Sequence, residues 1–151
     1  MFILTKKQKK RFHYVMFRNM LSISTGVSIG IIEILFSIKL VKKWFTKIQF
    51  IPLKKFKYVL VEAPTEFFVI LIFFYAFSAL LGGMITAFFA KNAKKAYAIL
   101  TGLILFIIVL FHMFFYPFPL WFKIIILPIF FPFSYIGGNF IELLKRKKWI
   151  N

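Results

Sequence analysis

The sequence predicts an all-α fold: an integral membrane four-helix bundle with a short interfacial amphipathic segment between helices 1 and 2. Three observations carry that prediction. Phe67 to Ala90 is an unbroken uncharged stretch, longer than the roughly 20 apolar residues a helix needs to cross a hydrocarbon core of about 30 Å. Only a helix or a closed barrel satisfies its own backbone in lipid, and a run this long and apolar reads as a helix. Hydrophobic residues make up 62% of the chain and Phe alone occurs 24 times, more than a water-soluble unit of this size could bury. The basic residues stand in blocks beside the apolar runs, where they anchor helix ends in the headgroup region.

The spans fall at about 15–38, 67–90, 96–116 and 121–144, in a single transmembrane domain covering 1–151. The first follows a basic stretch containing Lys6, Lys7, Lys9, Lys10 and Arg11. Its apolar run is too long for a signal-peptide core and no small-residue cleavage pattern follows, so it reads as an uncleaved helix. Ser22, Gly26 and Gly30 recur every four residues along it, and Glu33 and Ser37 continue that face. A carboxylate in a span is expensive unless it turns into the bundle. Glu33 lies six residues before Lys39, about 9 Å along the axis, nearer an interface than the midplane.

Between the first two spans, 39–66 is basic and interrupted. Leu40, Val41, Trp44, Phe45 and Ile48 recur at helical spacing with Lys39, Lys42, Lys43 and Lys47 on other faces, as in a short helix lying in the headgroup region, and Pro52 ends it. Pro64, Thr65 and Glu66 suit the first turn of the second span. In that span Gly82 and Gly83 sit on adjacent small-residue stripes, which permit close helix approach.

A short basic loop containing Lys91, Lys94 and Lys95 leads into the third span, which carries Ala98, Gly102 and, near its far end, His112. An aromatic turn from Tyr116 to Trp121 follows. The fourth span contains Pro128 and Pro132, which predict a bend in its first half, then Gly137 and Gly138. Glu142, three and four residues before Lys145 and Arg146, reads as part of a helix-end ion pair.

With four spans, the amino end, the second loop and the carboxyl end share a side that holds thirteen basic residues against eight on the other. That bias predicts both termini in the cytoplasm, with insertion in two orientations or a first loop held on the headgroups as the alternatives, and the excess of Lys over Arg with abundant Phe and Ile points to a bacterial inner membrane. Anionic lipid headgroups are the partners expected for a formal charge of +17 arranged this way, and nucleic acid is not.

The chain lacks Cys and Asp, and its side-chain carboxylates are Glu33, Glu62, Glu66 and Glu142. No catalytic, cofactor or metal-ligating residues are assigned, because paired carboxylates and nucleophile-base arrangements need material this composition does not supply. If the first and third helices both run outward, Glu33 and His112 lie at similar depth. They define a candidate polar cluster with Tyr116 and Glu66, able to relay a proton, hold a cation or grip a headgroup. The packing residues expected at the seams are Ser22, Gly26, Gly30, Gly82, Gly83, Gly137 and Gly138.

Residues 26–141 resemble a group of uncharacterised small bacterial four-helix integral membrane proteins. The resemblance rests on Ile29-Gly30-Ile31-Ile32-Glu33, the Gly82-Gly83 pair, the turn from Pro117 to Phe122, and Pro132 through Gly137-Gly138. It implies an architecture and supplies no activity. A weaker likeness is to the small multidrug resistance transporters, which also have four helices and a membrane-embedded Glu on the first.

The function expected from the sequence is that of a non-enzymatic accessory or assembly component of a membrane complex. The small-residue stripes exceed what one four-helix core obviously needs, leaving some for a membrane-protein partner or a homo-oligomer. The alternative is a small proton- or ion-coupled transporter using Glu33. A lipid-modifying enzyme comes third.

Overall fold

The computed structural model describes residues 5–46 and 48–147. Lys47 and Lys148, which enter the charge count above, lie outside the described residues. Among those described, the elements are α1 (Lys6–Trp44), a 3-10 turn (Leu53–Lys55), α2 (Phe56–Glu62), α3 (Thr65–Phe89), α4 (Lys94–Phe115) and α5 (Leu120–Arg146). The chain is all-helical there, and α1, α3, α4 and α5 are each long and apolar enough to cross a membrane. This is a multi-pass membrane protein.

The hub is α3, which packs against α1, α4 and α5, whereas α1 and α5 do not touch. Its adjacent glycines explain how neighbours close on it from different sides. A Cβ on Gly82 would lie 3.1 Å from the Gly26 carbonyl oxygen of α1, and one on Gly83 would lie 3.0 Å from Ser134 Cα of α5. Each glycine removes the side chain that would hold a helix away. Gly30, Gly102, Gly137 and Gly138 do the same against Leu105, Ser134, Met84 and Ala98.

Hydroxyls stitch the seams opened this way. Ser78 Oγ donates to the Gly30 carbonyl at 2.8 Å, linking α3 to α1, and the Thr86 and Thr101 hydroxyls are hydrogen-bonded to each other across α3 and α4 at 2.7 Å. Ser134 Oγ donates to the Ala98 carbonyl from α5 to α4. On α5 the buried stripe is Phe122, Ile126, Phe130 and Ser134, while Pro128 and Pro132 are exposed on another face and the helix continues through both.

Two findings differ from the sequence reading. First, 39–48 is not a separate interfacial helix. The buried stripe Ile34, Ser37, Ile38, Val41 of α1 keeps its period past Lys39, so packing carries the helix on to Trp44, and Lys42 Nζ turns back to the Gln49 carbonyl at 2.8 Å. The short helix between the first two spans is α2, beyond Pro52. Its Phe56, Val59 and Leu60 are buried, with Lys57 and Tyr58 exposed. Second, all seven glycines of the chain are buried inside this one bundle.

The 39 residues of α1 reach about 58 Å, nearly twice the hydrocarbon thickness. Its first turns, through Tyr14, are exposed.

Candidate functional site

The predicted cluster divides into two groups. Glu33 lies at the seam of α1 and α3. One turn further along α1, the Ser37 hydroxyl donates to Glu33 Oε1 at 2.7 Å. Ser78 of α3 also lies within reach of the carboxyl group, but its single proton is directed at the Gly30 carbonyl. Glu33 Oε2 is consequently buried without a hydrogen-bond partner. Both ion pairs among the described residues go to Glu142, so no cation neutralises Glu33.

Beside it stands Tyr75, which sequence reasoning missed. Its side chain is 1% exposed and its hydroxyl has no partner. A tyrosine amid so many aromatics looks like core packing in the sequence, and its ring does pack against Phe122 and Phe130. The signal that could have found it is its place three residues before Ser78, on the α3 face turned toward α1.

His112 belongs to the second group, with Tyr116. Their ring centroids lie 4.7 Å apart, and Phe56 of α2 closes over both at 5.7 and 5.1 Å. His112, Phe56 and Tyr116 line a cavity of about 500 Å³ with Leu35, Ile38 and Lys39. A smaller void of about 90 Å³ shares Leu35, Ile38 and His112 with it and is also lined by Tyr75. Tyr75 therefore borders the void from α3, opposite Ile31 and Ile34 of α1, the neighbours in sequence of Glu33. Glu66 joins neither group: it is exposed in the first turn of α3.

A third polar group gathers at the opposite end. Glu142 pairs with Arg146 at 2.8 Å and with Lys95 at 3.8 Å. Arg18 Nε donates to the Phe89 carbonyl, Lys145 Nζ to the Phe88 carbonyl, and the Lys91 amide to Asn19 Oδ1. These contacts bring the first part of α1, the α3–α4 loop and the end of α5 to one side of the bundle, as the four-span reading requires.

Chemically, the Glu33 site offers one carboxyl group, two serine hydroxyls and one phenol. That set suits a proton better than a hard cation such as calcium, which takes six to eight oxygens. Ser22, the remaining predicted packing residue, is buried with its hydroxyl returned to the Arg18 carbonyl. Comparison of the chain with protein-family models, with curated proteins and with solved structures finds no match.

Proposed function

We propose that this protein is a small carrier that moves protons through the membrane, with Glu33 as its working group, loaded by way of the His112 cavity and Tyr75. The observation that supports the reading is the pair of buried, unpartnered oxygens, Glu33 Oε2 and Tyr75 Oη, at one helix seam. Leaving such atoms unsatisfied is costly, and ionisable groups within spans mark proton and substrate pathways. On this reading the seam is poised to take up a proton or a polar substrate group, and no covalent chemistry is involved.

The setting that goes with this function is a bacterial inner membrane with both termini in the cytoplasm, on the strength of the thirteen-to-eight bias in basic residues. The His112 cavity then faces outward. The likeness to the small four-helix bacterial proteins fits this setting and adds no activity.

The test is proton flux in liposomes holding a pH-sensitive dye. The parent is expected to collapse an imposed gradient faster than empty liposomes, with Glu33→Gln reduced to background and Tyr75→Phe slowed. A parent no faster than empty liposomes, or a Glu33→Gln variant equal to the parent, would overturn the proposal.

A second reading, the accessory component of a membrane complex, draws on α1. Its outward residues Leu21, Ser24, Thr25, Ser28 and Ile32 are exposed, and the hydroxyls of Thr25 and Ser28 bond back to their own helix. A subunit retained through purification in mild detergent, and lost when Ser28 is made Phe, would favour it.

A further inference from the structure

We propose that the basic groove at the α3–α4 loop end is a specific site for the phosphate of an anionic phospholipid headgroup. The groove encloses about 400 Å³ and is lined by Lys91, Ala93, Lys94, Glu142, Lys145 and Arg146. Four cations thus converge on a space in which Glu142 is the sole acidic side chain, and Glu142 is already shared between Arg146 and Lys95.

Among the described residues no other carboxylate pairs with the lysines of the groove. Lys145 spends its ammonium on the Phe88 carbonyl, at 2.6 Å, and lies 4.9 Å from the centroid of the Phe88 ring. Lys91 lies over the Tyr14 ring at 5.6 Å. The charges of Lys94 and Arg18 both act on Lys145. An excess of three positive charges held round one hollow is repulsive unless an anion enters it, and a phosphate oxygen accepts from several such donors at once.

The surroundings favour a lipid over a free anion. The groove lies where α3 ends and α4 begins, beside the last turns of α5. The nearby Phe88, Phe89, Phe140 and Leu143 are exposed apolar side chains. A headgroup in the groove would leave its acyl chains to run down that surface. Polybasic clusters next to a span attract anionic lipid generally. The distinction here is that these cations come from two separate segments and enclose a volume.

The experiment is native mass spectrometry of the whole protein in detergent, with phosphatidylglycerol or phosphatidylcholine added. The parent is expected to retain one phosphatidylglycerol and no phosphatidylcholine. Lys94→Gln should weaken retention about five-fold, the factor expected of a single juxtamembrane cation, and Lys94→Arg should restore it. Lys57→Gln, the same change of charge on the exposed side of α2, should leave it unaltered. Equal losses in Lys57→Gln and Lys94→Gln, or no loss in either, would refute the site. Displacement of the lipid by millimolar inorganic phosphate would show that the groove takes the free ion, and would refute the lipid assignment. Circular dichroism on each variant separates a lost site from a lost fold.

Discussion

Gly26 of α1 and Gly82 of α3 face each other so closely that a Cβ on either would meet the other's carbonyl oxygen, at 2.6 and 3.1 Å. Two backbones in direct contact leave neither side able to give way. Gly26→Ala should therefore destabilise the bundle by about 1–3 kcal/mol, the usual range for overpacking. Ser28→Ala, on the exposed side of the same helix, should stay within ~0.5 kcal/mol of the parent. Thermal unfolding in detergent compares the two. Equal midpoints would mean that α1 does not dock on α3 through this pair.

Ser134 offers a different measurement. Its hydroxyl reaches the Ala98 carbonyl across α4 and α5, and a Cβ on Gly102 would lie 2.6 Å from Ser134 Cβ. Ser134→Ala keeps the packing and loses only the hydrogen bond, so its cost should be about 0.6 kcal/mol, typical of such bonds between membrane helices. Gly102→Ala keeps the bond donor and crowds it, and should cost more. The reverse order in a denaturation series would show that the bond, not the close approach, holds this seam.

Phe56 closes the aromatic end by resting on His112, Tyr116 and Phe118. Phe56→Ala should release the connector while leaving the spans folded. Trypsin should then cut at Lys54, Lys55 or Lys57 at least about tenfold faster, the factor that follows from losing ~1.4 kcal/mol of local packing. Unchanged cleavage alongside an unchanged helical signal would mean that α2 is held by something other than this ring.

The membrane orientation can be read with single cysteines, because the chain has none of its own. An impermeant maleimide applied to intact cells should label Lys57→Cys and spare Thr5→Cys, and lysis should expose both. Labelling of both sites in intact cells would indicate insertion in two orientations.

Much of this fold is legible in the sequence because lipid imposes a simple rule: span length and the small-residue period set the four helices and their seams. The four-residue spacing of Ser22, Gly26 and Gly30 locates the α1–α3 contact directly. The limit of α1 is less legible. Lys39, Lys42 and Lys43 suggest that the span stops, yet the helix persists to Trp44 because Ile38 and Val41 still pack. The site is half legible. Glu33 stands out as a charge inside a span, and the pairing of His112 with Tyr116 follows from their one-turn separation. Tyr75 does not stand out, because as one of six Tyr among 24 Phe residues it looks like another ring, and only the tertiary arrangement shows its hydroxyl unpaired.

The dependence of α1 on α3 bears on how the chain is made. Forty-eight residues separate Gly30 from Ser78, so when the first helix leaves the ribosome its carboxylate enters the translocon with Ser37 alone for company. The hydrogen bond that ties α1 to α3 can therefore form only once the second span has been made.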